Sequence, residues 1–269
     1  TPILSFGRSK RGMPISCFLN YIEDTAEGLV DNLSETNWLS MLGGGVGIGF
    51  GIRSADDKST GVMPHLKIYD ASSLAYRQGR TRRGSYAAYL DISHPDIIPF
   101  LEMRKPTGDQ NMRCLNLHHG INIPDAFMEI IEKCMIDPEA DDSWNLIDPA
   151  TDIVRETVSA KMLWEKIMEL RMHTGEPYLH FIDTSNRAMP EFQKEKANLY
   201  KQYEDRVGKA NANIDDFEIR DPAYRQLAKD TKEKLLKQFP GIYVAVKDEE
   251  PSAKPAASKF DKFVKPKVQ

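Results

Sequence analysis

Cysteine is scarce in this chain, with only Cys17, Cys114 and Cys134 among 269 residues. An odd, sparse set cannot frame a disulfide-built fold and suits a reducing, cytoplasmic compartment. Metal-ligand spacing is missing as well. Neither CxxC nor HxxxH occurs, and His118 and His119 are adjacent, so on a strand they face opposite ways; a structural zinc site is not expected. No apolar run approaches the roughly 20 residues needed to cross a bilayer. The N-terminal TPILSFGRSKRG lacks the apolar heart of a signal peptide. Charge of one sign is not in excess either. Lys and Arg total 36 against 40 Asp and Glu, a net charge of -4, which argues against nucleic acid or an anionic membrane as partner. No internal repeat is visible.

Hydrophobic residues make up 41% of the chain, enough for a sizeable core. Apolar runs alternate with helical patterns. The runs ISCFLN (15–20), VGIGF (46–50), SYAAYLDI (85–92), CLNLHHGINI (114–123) and PYLHFID (177–183) read as five strands. Helices are expected over 24–42, 62–76, 124–135 and 158–173, with Pro64 and Pro124 in first turns. In the first of these, Ala26, Leu29, Val30, Leu33, Trp38, Leu39 and Leu42 recur at helical spacing. This alternation predicts an α/β fold with a mainly parallel sheet. All Cys, His and Trp residues lie before position 190, and the remainder is polar and lysine-rich. Two regions are therefore expected, 1–190 and 191–269. The second should hold helices near 191–211 and 222–239, then a disordered end rich in Pro, Ala and Lys.

Three segments could carry chemistry. Gly43 to Gly51, GGGVGIGFG, is dense enough in glycine for a backbone to approach a ligand and offer N–H groups to an anion, although a tight helix-to-strand connection explains it equally. Arg77 to Ser85, RQGRTRRGS, packs four arginines and two glycines into nine residues. It reads as a phosphate-contacting loop or as a solvated one. Cys17 is either a buried small hydrophobe or a reactive thiol. Cys114 and Cys134 read as packing residues.

Together these segments resemble class I ribonucleotide reductase large subunits. TPILSFGRSKRGMPISCFLN, LGGGVGIGFG, RQGRTRRGSYAAYLDISHPDI and RKPTGDQNMRCLNLHHGINIPDAFM occur in that family's order. The resemblance covers about residues 1–190. It implies that this chain forms the first five-stranded half of a ten-stranded α/β barrel, followed by a helical and then disordered tail. It also implies reduction of ribonucleoside diphosphates to deoxyribonucleotides by thiyl-radical chemistry. By motif, Cys17 corresponds to the first cysteine of the family's redox pair. Thr1, Ser16, Gly44, Gly45 and Arg82 correspond to substrate-contacting positions. Asp24, Arg53, Lys58, Gln78 and Arg80 fall at the family's specificity site, which takes ATP or a deoxynucleoside triphosphate as effector. The segments Ser54 to Thr60 and Gln78 to Gly84 resemble its two specificity loops.

The sequence also departs from the family pattern. It contains no Asn-x-Cys-x-Glu segment to supply the radical cysteine, no recognisable redox partner for Cys17 and no terminal cysteine pair. The expectation is therefore a split large subunit that needs a companion chain. The other expected partners are a small subunit carrying a di-metal tyrosyl radical and a thioredoxin or glutaredoxin system. No metal or other cofactor is expected on this chain itself. The competing expectation is a catalytically inactive remnant or assembly module that still binds nucleotides.

Overall fold

The computed structural model describes residues 15–76, 84–208, 212 and 214–238. The chain divides into two compact units, Thr1–Ala188 and Met189–Gln269.

The first unit is built on a five-stranded sheet of β1 (Cys17–Ile22), β2 (Gly45–Phe50), β3 (Tyr86–Asp91), β4 (His118–Ile123) and β7 (Tyr178–Phe181). These strands are hydrogen-bonded in the order β1-β2-β3-β4-β7, and every pairing is parallel. Parallel neighbours need a crossover, and the chain supplies one each time. These are α1 (Ala26–Met41), α2 (Val62–Ala75), α3 (Ile97–Glu102) and, after β4, α4 (Asp125–Ile136) with α5 (Ala160–Thr174). A short α6 (Ile182–Arg187) follows β7. All five expected strands are present. The expected fourth strand loses its first residues, because Cys114 to Leu117 lie in a loop whose backbone is satisfied by side chains. Asp70 accepts from the N–H groups of Asn116 at 2.7 Å and Leu117 at 3.1 Å. Arg104 donates to the carbonyls of Leu115 and Leu117.

Sequence reading missed an antiparallel hairpin of β5 (Ser143–Ile147) and β6 (Val154–Ser159). Val158 and Ser159, expected within the helix, complete β6, and the Ser159 hydroxyl accepts from Met162 N–H at 3.0 Å to cap α5. Helix α1 also differs from expectation in part of the face it buries. Of its apolar positions Leu29, Leu33 and Leu39 pack half-buried against the core and Val30 and Trp38 are exposed, while its fully buried residues are Asn32, Thr36 and Ser40. Hydrogen bonds explain the buried polar groups. Asn32 donates to Tyr21 O at 3.1 Å and accepts from the Tyr69 hydroxyl at 2.8 Å, and Asn20 donates to Thr36 at 3.2 Å. Satisfied in this way, polar groups can be buried at little cost.

The strands present two unlike faces. Ile22, Ile48, Phe50, Leu90, Ile121 and Ile123 belong to the core packed under the helices. With a side-chain period of two, Cys17, Leu19, Tyr21, Tyr89, Asp91, Asn122 and His180 lie on the opposite face. At the β7 end the short α6 reaches this face, Ser185 bonding to His180, but over β1 it is open. Leu19 is 87% exposed on it and Tyr21 66%. The glycines of β2 let these side chains lie flat: a Cβ on Gly47 would come 2.8 Å from the Leu19 methyl group.

The second unit holds α7 (Glu191–Val207), α8 (Ile214–Arg220) and α9 (Pro222–Gln238). Phe217 is fully buried among Tyr200, Tyr203 and Tyr224. Asp221 accepts from the N–H groups of Ala223 and Tyr224 at the start of α9 and from Arg206. Helices α7 and α9 match the two expected from the sequence, and α8 was missed. The expected disordered end, 247–269, lies outside the described residues.

Candidate active site and effector site

The turn between α1 and β2 begins the site. Gly43 takes φ +97°, a left-handed conformation that closes the helix. Its N–H donates to Ser40 O at 2.9 Å, and that of Gly44 to Leu39 O at 2.9 Å. Gly44 can be nothing larger, since a Cβ there would sit 2.5 Å from the Phe18 ring. The next residue, Gly45, then enters the sheet beside β1. It is the register partner of Cys17, and its N–H donates to Ser16 O at 2.7 Å. Four expected residues, Ser16, Cys17, Gly44 and Gly45, are thus brought together at the N-terminal end of β1. Cys17 is an exposed free thiol at the first residue of that strand, on the face that is open over β1. The buried-hydrophobe reading of Cys17 is overturned. Cys114 and Cys134 are buried, as packing residues should be, and burial pushes the Cys114 thiol up to about 12.

A second cluster forms at the other end of the same strands. Seven residues of extended chain separate Cys17 from Asp24, about 23 Å. Arg53, just beyond β2, meets Asp24 with Nε 2.5 Å from Oδ2, and its backbone N–H donates to Asp24 Oδ1 at 3.4 Å. The Asp24 carboxylate beside it raises the Arg53 guanidinium above its ordinary range. Lys58 takes part through its backbone. Its N–H and that of Ser59 both donate to Asp56 Oδ1 at 2.7 Å, closing a tight turn. These N–H donors hold the Asp56 carboxyl below its usual range. The Lys58 side chain is exposed. Thr1, Gln78, Arg80 and Arg82 lie outside the described residues.

Three polar arrangements escaped the sequence reading. At the hairpin tip, the buried Asp148 accepts from Arg155 at 3.0 Å and from the Ser54 hydroxyl at 3.4 Å. Near the N-terminal ends of β4 and β7, the Glu176 carboxylate gathers His118, His119 and Arg104. Burial would raise the Glu176 pKa, but the hydrogen bonds from both histidines and the Arg104 charge overcome it and hold the carboxyl well below the usual range. His118 and His119 do face opposite ways, half-exposed and buried, yet both reach this one carboxylate. Across the ends of β3, β4 and β7, Asn122 donates to Asp91 at 2.8 Å and accepts from His180 Nδ1 at 2.8 Å. The Ser185 hydroxyl then donates to His180 Nε2 at 2.9 Å. None of these clusters shows a local motif, because the elements they join lie 31 to 94 residues apart in sequence. Among the described residues no group of three or more His, Cys, Asp or Glu is placed to hold a metal ion. Likewise, no described helix is long and apolar enough to cross a membrane.

The parallel sheet thus carries a thiol at one end of its strands and a carboxylate–guanidinium pair at the other. The model of the ribonucleotide reductase barrel domain matches residues 15–201. The chain is 64% identical over 202 residues to the ribonucleoside-diphosphate reductase large subunit of Invertebrate iridescent virus 6, covering 75% of this chain and 21% of that protein. It is 48% identical over 241 residues to the large subunit of Invertebrate iridescent virus 3, covering 72% and 38%. Among solved structures it resembles the Actinobacillus ureae class Id ribonucleotide reductase alpha subunit, with TM-score 0.57 and 28% identity over 74% of this chain and 32% of that one. This chain belongs to the ribonucleotide reductase large-subunit family and carries part of its barrel domain. It spans about a fifth to two fifths of the length of these curated relatives.

Proposed function

We propose that this chain supplies the Cys17 side of a ribonucleoside-diphosphate reductase active site together with its effector site. The observation that carries this reading is the exposed Cys17 thiol beside Gly45, on a sheet face that is open over β1. A parallel sheet is ordinarily covered on both faces, so this face calls for a second layer. The companion chain carrying the radical cysteine is the partner that fits. Cys17 is then the redox thiol against the ribose, with Ser16, Gly44 and Gly45 lining the substrate pocket; Thr1 and Arg82 complete it by motif. Asp24, Arg53 and the turn at Lys58 hold an ATP or deoxynucleoside triphosphate effector, assisted by Gln78 and Arg80. A separate small subunit with a di-metal tyrosyl radical starts the chemistry, and a thioredoxin or glutaredoxin system re-reduces the thiols.

The test is reduction of ribonucleoside diphosphates by this chain mixed with the companion chain and the small subunit. Activity only in the mixture, lost in Cys17→Ser, is the expected result. No turnover in any mixture, with nucleotide binding retained, would instead make the chain an inactive binding remnant.

A further inference from the structure

Asp148 is the fully buried carboxylate of the β5–β6 hairpin tip. Its Oδ1 accepts from Ala150 N–H at 3.0 Å. Its Oδ2 accepts from Arg155 at 3.0 Å and from the Ser54 hydroxyl at 3.4 Å. The tip is wound tightly around it, with the N–H of Asp152 donating to Asp148 O at 2.9 Å. The hairpin is in turn fastened beside the sheet: Ile147 N–H donates to Ser93 O at 2.6 Å, and the Trp144 indole donates to Ile92 O at 3.3 Å. A rigid element therefore reaches the loop that follows β2 and meets it at Ser54, the residue after Arg53.

We propose that Asp148 is a positioning residue for the Arg53–Thr60 loop, acting through Ser54 and Arg155 to hold Arg53 toward Asp24 in the geometry that receives a nucleoside triphosphate. This rests on the effector reading above and names a residue of the hairpin as part of that site. A loop with an exposed tip has little packing of its own, so its geometry must come from supports outside it. A buried carboxylate is costly unless paired and hydrogen-bonded. Asp148 meets that demand with the Ala150 N–H on Oδ1 and with one guanidinium and one hydroxyl that share Oδ2, so losing either of these two disturbs the other. Arg155 adds a half-exposed positive charge at this end of the site, where it and Arg53 both act to lower the Asp56 carboxyl.

The test is titration of the full chain with ATP, dATP and dTTP in separate experiments, on wild type and on Ser54→Ala, Ser54→Thr, Arg155→Met and Asp148→Asn. Thr157→Ala is the control, because its hydroxyl donates to Asn145 on the same hairpin without touching the loop. The expected result is a Kd raised about 3- to 10-fold by Ser54→Ala and at least tenfold by Asp148→Asn. Ser54→Thr, which keeps the hydroxyl, should restore wild-type affinity, and Thr157→Ala should leave it unchanged. If Asp148→Asn fails to fold, the Ser54→Ala and Ser54→Thr pair decides. Wild-type binding with unaltered affinity in Ser54→Ala and Arg155→Met overturns the positioning role alone. Weakening by Thr157→Ala as large as by Ser54→Ala overturns it too. A wild-type chain that binds none of the three nucleotides overturns both the effector reading and this inference.

Discussion

Asp24 and Arg53 close on each other beyond the C-terminal ends of β1 and β2, with Nε 2.5 Å from Oδ2. Each is thereby the other's partner before any ligand arrives. An anionic ligand at this position must compete with Asp24 for the guanidinium.

Arg53→Met should therefore weaken nucleoside triphosphate binding strongly, whereas Asp24→Asn, which loses the carboxylate's own contact with the ligand but frees the guanidinium, should weaken it less and with a different salt dependence. Loss of Arg53 removes the attraction to phosphate, and its residual binding should respond weakly to ionic strength. Loss of Asp24 leaves the guanidinium available, and binding should remain salt-sensitive. Titrations at low and high salt separate the two. The pair is partly solvent-exposed, so neither variant should move the melting temperature much.

Thiol accessibility gives a second prediction. Cys17 is exposed, whereas Cys114 and Cys134 are buried. A chromogenic disulfide reagent should find one fast thiol in the native chain and the other two only after denaturation. Cys17→Ser should abolish the fast phase and leave the melting temperature unchanged. Two fast thiols in the native protein would contradict the packing role given to the other cysteines.

Gly44→Ala should destabilise the first unit by about 1–3 kcal/mol, because the added methyl meets a ring that cannot move without disturbing β1. The crowding is specific, since the new Cβ would lie 2.5 Å from two atoms of Phe18. Urea unfolding of the variant beside Gly44→Ala/Phe18→Leu provides the check: the smaller side chain should recover part of the loss.

The pH dependence of stability should reflect Glu176. Its folded-state pKa is depressed, so the stability it contributes is fully present above the unfolded carboxyl range near pH 4.3. That contribution is lost as pH falls through the folded value. Glu176→Gln should cost about 3 kcal/mol at neutral pH, where a partner of His118, His119 and Arg104 is removed. The variant should then lose less stability than wild type between about pH 5 and pH 3. Parallel denaturation curves over that range would refute the assignment.

The sheet face open over β1 predicts self-association of the isolated chain. Leu19 and Tyr21 are large apolar side chains on this face, 87% and 66% exposed. Exposed apolar surface of this kind favours association. Leu19→Lys with Tyr21→Lys should shift light scattering toward monomer without lowering the melting temperature. A wild-type chain already monomeric at high concentration would count against an uncovered interior.

Much of this was legible in the sequence for a physical reason. Strands β1 to β4 and β7 announce themselves as short apolar runs, α2 carries Pro64 in its first turn and α4 has Pro124 as its N-cap, so local pattern alone places them. The Cys17 and Gly44–Gly45 cluster was also readable, because a helix, a glycine turn and a strand adjacent in sequence must fold back onto their neighbour. The hairpin was not, since β6 (VRETVS) is mostly polar and no local run marks it. The polar part of the buried face of α1 was not legible, because Asn32, Thr36 and Ser40 become inward-facing only once Tyr21, Asn20, Tyr69 and Tyr76 are there to satisfy them.

The sequence by itself determined the strand order of appearance and the α/β class, and its family resemblance singled out the residues now seen at the thiol end and at the carboxylate–guanidinium end. Only the tertiary structure decided that Cys17 is exposed, that Asp24 is already paired with Arg53, and that Asp148, 94 residues beyond Ser54, reaches its hydroxyl. Local periodicity fixes which way a residue points within its own element. Which groups meet across elements depends on the parallel register and the crossovers, which bring distant parts of the chain within hydrogen-bonding reach.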